Sequence, residues 1–85
     1  MTTLFIILQV VAGAAYAKIG AALSSGIIVV GASYGIGKIG ATALDSMARQ
    51  PEAAGDIRSG MVVSAALIEG VSFFAIIICA LVILL

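Results

Sequence analysis

Histidine is missing from this chain, and charge is scarce: four Lys and Arg, four Asp and Glu, 9% of the residues in all. Each shortage closes a class of function. Without histidine the commonest transition-metal ligand is unavailable, and no Ser–His or Cys–His pair can activate a nucleophile. The formal net charge is zero and no basic patch occurs, so nucleic acid, whose phosphates call for clustered Lys and Arg, is excluded as a partner. A single cysteine, Cys79, permits no intrachain disulfide; set in an apolar run, it reads as a small hydrophobe. The glycines are not a phosphate-binding loop, because no Lys-Ser/Thr follows them. No catalytic constellation is left, and the chain is expected to have no catalysis and no cofactor of its own.

What the chain does hold is apolar surface. Hydrophobic residues make up 64% of its 85 positions, against a charged fraction far below the quarter usual in soluble domains. A chain this short cannot hide so much in a soluble core, so its solvent is lipid. Two apolar stretches flank one polar stretch. Ile19 to Gly37 carries no charge, and Gly60 to Leu85 carries one, Glu69. Each can cross about 30 Å of hydrocarbon as a helix, the state that satisfies its own backbone in lipid. Between them the chain turns near Gln50-Pro51, since proline lacks an N–H and pushes the residue before it out of the helical region. Glu52 then suits the start of a second helix through the helix dipole.

The expected fold is therefore an all-α membrane protein: an antiparallel two-helix transmembrane hairpin in a single domain, residues 1–85. Its parts are a glycine-rich first helix over about 4–47, a polar loop over 48–56 and a second helix over about 57–85. Counted back from the turn, Lys18 falls level with Leu85, where it can snorkel toward a lipid phosphate or the terminal carboxylate; residues before it overhang the second helix. Ala15-Tyr16-Ala17 fits a signal-peptidase pattern, but no Lys or Arg precedes the apolar run, so the segment is expected to be retained. Lys38, Arg49 and Arg58 gather at the turn, which by the positive-inside rule places the loop in the cytoplasm. The start of the chain, without a targeting segment, favours a bacterial plasma membrane.

The first helix is dense in small residues. Gly31, Ser33, Gly35 and Gly37 recur at every second position, and Gly31/Gly35 and Ser33/Gly37 form two small-xxx-small pairs on different sides of the helix. Small residues let helices approach closely in lipid. Two such faces suit two neighbours per protomer, which is the requirement of a closed ring. The bulkier second helix, with Phe73 and Phe74, suits an outer layer against lipid.

Glu69 is the residue that such a hairpin does not need for packing. It follows Pro51 by eighteen residues, about 27 Å along a helix, and so lies near the middle of the bilayer. A charge there costs about 2.5–3.5 kcal/mol even on insertion scales, and an intramembrane acid is a functional candidate by default. Lys18 and Lys38 lie at other depths and give it no partner. Desolvation penalises the charged form, so the carboxyl keeps its proton against lipid and gives it up where water or a cation reaches it. Each charge moved exchanges about 2.3 kcal/mol per 100 mV of membrane potential.

The loop Ala48-Arg49-Gln50-Pro51-Glu52, the glycine-rich helix before it and the mid-helix acid seventeen residues after Glu52 together resemble the c subunit, or proteolipid, of rotary F-type ATP synthases. The resemblance covers the chain from about Gly20 onward. It implies a homo-oligomeric ring in the Fo motor, with Glu69 as the ion-carrying carboxylate, the group that dicyclohexylcarbodiimide modifies. It implies partners too: a stator a subunit that supplies an arginine, and the gamma and epsilon subunits of the central stalk against Arg49, Gln50, Pro51 and Glu52. Sodium-binding rings carry Gln on the first helix and Ser or Thr after the acid, and many members carry Tyr five residues after it; here Ile36, Gly70 and Phe74 stand at those places. A hard cation needs several oxygen ligands, and Glu69 with a backbone carbonyl near Leu67 is too few. The transported ion is therefore expected to be H+, with Leu67, Ile36, Gly70 and Phe74 lining the site. A sodium-coupled ring of the same type, a pore-forming hairpin and a purely structural membrane hairpin are the alternatives.

Overall fold

The computed structural model describes all 85 residues, and they form two helices laid side by side. Helix α1 spans Thr2–Arg49, a 3-10 turn covers Pro51–Ala53, and α2 spans Ala54–Leu84. The molecule measures 75 × 15 × 10 Å, the length of one 48-residue helix and the width of two. No strand is present.

The connection is shorter than the 48–56 loop expected from the sequence. Nothing before Gln50 breaks the helix, and α1 runs through Ala48 and Arg49. Its last turn carries an exposed i,i+4 ion pair, Asp45–Arg49 at 3.2 Å, of a kind that contributes about 0.3–0.5 kcal/mol. Gln50 alone leaves helical geometry, with φ −133° and ψ 72°, as a residue preceding proline should. Its N–H still donates to the Ser46 carbonyl at 2.9 Å, and its own carbonyl accepts from Ala53 N–H at 3.0 Å. Glu52 stands in the 3-10 turn and Asp56 in the first turn of α2, where acids are favoured by the helix dipole.

The two helices meet along a seam that recurs every three or four residues. Ala21, Ser25, Ile28, Ala32, Ile39 and Ala43 of α1 face Ile57, Met61, Ala65, Ile68 and Ser72 of α2, all buried or half-buried. Alternating spacings of three and four are those of nearly parallel helices packing knobs into holes. Only Ala21 and Ala43 are fully buried; two helices have too few neighbours to enclose a core, and large apolar side chains from Leu23 to Val82 remain on the outside. The far end of α2 reaches Ala14, Ala17 and Lys18, which share a groove with Val82 and Leu85. Lys18 thus lies level with Leu85, but it makes no ion pair with the terminal carboxylate: Asp45–Arg49 is the single ion pair of the chain. Residues Thr2 to Gly13 of α1 project past α2 by about 18 Å at 1.5 Å per residue.

Among the glycines, Gly35 is the one that α2 requires. A Cβ there would stand 3.1 Å from Cδ1 of Ile68, whereas at Gly31 and Gly37 it would meet open space. We predict that Gly35→Ala changes hairpin stability by less than about 1 kcal/mol, because a gain in helix propensity offsets a small shift of the Ile68 terminus. Gly35→Leu is predicted to cost about 1–3 kcal/mol by overpacking. Thermal unfolding of the two variants in detergent, followed by circular dichroism, separates these outcomes.

Candidate ion-carrying site

Glu69 stands fifteen residues from each end of α2. Its side of the helix is shared by Ser72 and Phe73, three and four residues on, the spacing at which helical side chains become neighbours. Opposite them α1 presents Val29, Ala32, Ser33 and Ile36. Together with Ile76 these residues line a groove of about 150 Å³ between the helices, and Glu69 is at its open edge. The carboxylate is exposed on the outside of the hairpin rather than buried in it. A two-helix unit has no interior deep enough to enclose it.

Glu69 has no charged partner. No ion pair links it to either lysine, and it belongs to no group of three or more Cys, Asp and Glu side chains that could hold a metal ion. Lys38 belongs to a separate groove toward the turn, with Ile57, Gly60, Met61 and Ser64. The acid is therefore available to an ion or to groups from another protein.

The sequence-derived lining residues divide. Ile36 shares the groove with Glu69. Leu67 does not; it lines the adjoining groove with Gly31, Ala32, Ile68, Val71 and Ser72, because it is two residues from Glu69 and so points to another side of α2. Gly70 and Phe74 are exposed on α2 and outside the groove. Ser33, read from sequence as a packing residue, and Phe73, read as part of the layer against lipid, are in the groove, and so is Ser72, which sequence reasoning passed over. The i+3 spacing of Ser72 was a usable signal for it; nothing in the sequence indicates that Ser33 sits across from Glu69. Gly31, Ser33 and Gly37 are exposed on α1, while Gly35 is half-buried in the seam. Arg49, Gln50, Pro51 and Glu52 are all exposed at the turn.

Known proteins are similar to this chain in sequence. The family model that describes the ATP synthase C subunit matches residues 19–82, which takes in both sides of the groove, Glu69 and the turn. The chain belongs to the ATP synthase C subunit family. The ATP synthase c subunit of Phocaeicola vulgatus is 56% identical over 78 residues, covering 92% of this chain and 93% of the relative. That of Bacteroides thetaiotaomicron is 52% identical over 80 residues, covering 93% and 94%. A more distant relative, from Latilactobacillus sakei, is 41% identical over 58 residues, 68% of this chain and 83% of its own. No solved structure matches. The family match begins just beyond Lys18, five residues after α1 starts to run beside α2 at Ala14. Two helices long and apolar enough to cross a membrane, in a chain of this family, make an integral membrane protein.

The site carries a direct chemical prediction. Dicyclohexylcarbodiimide partitions into lipid and reacts with protonated carboxyls, so it should form one adduct, at Glu69, and leave the carboxylates at the turn, Asp45, Glu52 and Asp56, unmodified. Intact-mass measurement with peptide mapping checks this, and Glu69→Gln should abolish the adduct.

Proposed function

We propose that the chain is the proton-carrying rotor subunit of an F-type ATP synthase, with Glu69 loaded and unloaded in turn at the interface with a stator. The observation that carries this reading is Glu69 itself: the single carboxyl side chain in the apolar part of α2, midway along the helix, on its outer surface and without a counter-ion. While the hairpin faces lipid, Glu69 carries its bound proton around with the ring. Facing a stator a subunit, it meets an arginine and aqueous access, gives up the proton and takes up another after the ring has turned. The chain makes and breaks no covalent bond; ATP synthesis belongs to the complex it drives.

Support for a ring comes from α1. At about 100° per residue, Ser33 and Gly37 lie on one flank of the face that α2 leaves uncovered, and Gly20 and Gly31 on the other. None of these three glycines has anything within 4 Å of a would-be Cβ. Copies of the hairpin placed side by side use both flanks, which leaves no unpaired end once the circle closes. The exposed turn, with Arg49, Gln50, Pro51 and Glu52, is the surface we assign to the gamma and epsilon subunits of the central stalk. With Lys38, Arg49 and Arg58 at that end, the turn faces the cytoplasm of a bacterial cell; the relatives named above are bacterial. Proton rather than sodium coupling is favoured by the oxygen count: Glu69, Ser33 and Ser72 are the three polar side chains of the groove, a thin ligand set for a hard cation.

Two experiments test this. In Glu69→Gln the ring is expected to assemble with unchanged mass while ion-driven ATP synthesis falls to background; retained synthesis would overturn the assignment. Carbodiimide labelling of Glu69 should be insensitive to sodium at fixed pH, and protection by millimolar sodium would replace the proton with sodium. A further prediction concerns assembly: Gly31→Leu or Gly37→Leu should leave the hairpin helical by circular dichroism yet prevent the intact ring from appearing in native mass spectrometry.

A further inference from the structure

The groove at Glu69 contains two hydroxyls, Ser33 from α1 and Ser72 from α2. Serine in an apolar helix ordinarily satisfies its O–H by donating to the carbonyl four residues back. Two serines of this chain do so: Ser25 Oγ donates to the Ala21 carbonyl at 2.9 Å, and Ser59 Oγ to the Gly55 carbonyl at 3.1 Å. Ser33 and Ser72, like Ser24, Ser46 and Ser64, make no hydrogen bond within the chain, and of these five only Ser33 and Ser72 share the groove with Glu69. Their O–H groups therefore remain unspent, one on each wall of a space of about 150 Å³ that also takes in the acid. The other walls are apolar, formed by Val29, Ala32, Ile36, Phe73 and Ile76, so the carboxyl has no other side chain there with which to form a hydrogen bond.

We propose that Ser33 and Ser72 are positioning residues that hold the protonated carboxyl of Glu69 in the inter-helix groove while the hairpin faces lipid. The inference rests on the proton-carrying role of Glu69 and adds to it the groups that lock the loaded state. In that state the Glu69 O–H donates to one serine oxygen, and the other serine donates to the carboxyl C=O. A neutral carboxyl in hydrocarbon with both bonds unmade would lose much of what water gave it. Meeting the stator breaks both bonds and swings the side chain outward. The two hydroxyls make the loaded site a closed one, and their number, one from each helix, ties its closure to the packing of the hairpin.

The test uses the assembled ring in detergent. The C=O stretching band of protonated Glu69 is identified by infrared spectroscopy as the band lost in Glu69→Gln. If no such band exists, the proton-carrying role fails and the serine assignment falls with it. Given the band, Ser33→Ala, Ser72→Ala and the double variant are measured next. Alanine is smaller and a better helix former, so the ring is expected to survive. Loss of the donor to C=O should move the band to higher wavenumber, and dicyclohexylcarbodiimide should label Glu69 several-fold faster in the double variant, because the side chain spends more time outside the groove. Ser72→Thr, which keeps a hydroxyl, should restore both. A double variant that assembles with the band and the labelling rate of the wild type would overturn the serine assignment while leaving the role of Glu69 intact. Should the double variant fail to assemble, the two single variants decide: neither moving the band overturns it.

Discussion

Hydrocarbon offers no hydrogen-bond partner, and this one constraint governs the chain from backbone to site. Of its 77 backbone hydrogen bonds, 73 lie inside helices, so each helix satisfies itself before it meets the other. The turn obeys the same rule: proline removes one donor at the point of reversal, and Gln50 keeps both of its backbone groups bonded while departing from helical geometry. Because the backbone asks nothing of a neighbour, side-chain shape decides association. The seam mixes small and larger residues on both helices, with Gly35 receiving Ile68.

The same constraint explains why one acid dominates the chemistry. Polar side chains in the apolar part of the hairpin are few, and three of them share the groove at Glu69. Ser25 bonds back to its own helix at the Ala21 carbonyl; Glu69, Ser33 and Ser72 have no such outlet and share a groove. The chain belongs to the ATP synthase C subunit family, and no cation of the chain pairs with the acid in this groove.

Much of this was legible in the sequence, for reasons that differ by residue. The two spans, the reversal at Gln50-Pro51, the level of Lys18 with Leu85 and the depth of Glu69 all follow from lengths and from the rise of a helix, quantities that a linear chain displays. The extent of the loop did not follow: charge between residues 48 and 56 looks like a loop, but charged residues continue a helix where they pair at i,i+4, as Asp45 and Arg49 do. Nor could the glycines be sorted. Alternation marks small residues without saying which faces α2, and only the rotation of α1 in the seam separates Gly35 from Gly31 and Gly37. The groove was hidden for a related reason. Leu67 and Gly70 are near Glu69 along the chain and point elsewhere, while Ser33, thirty-six positions away, is across from it. Register between two helices is a property of the pair and is written in neither one.

The turn carries a mechanical implication. A single residue, Gln50, lies outside helical or 3-10 geometry between α1 and α2, so the hairpin has almost no slack where it reverses. A joint of that kind stores little elastic energy. Force applied sideways at Glu69 reaches the turn through about 23 Å of continuous helix and arrives without being absorbed by a yielding loop. A hairpin joined this closely moves as one body at its turn.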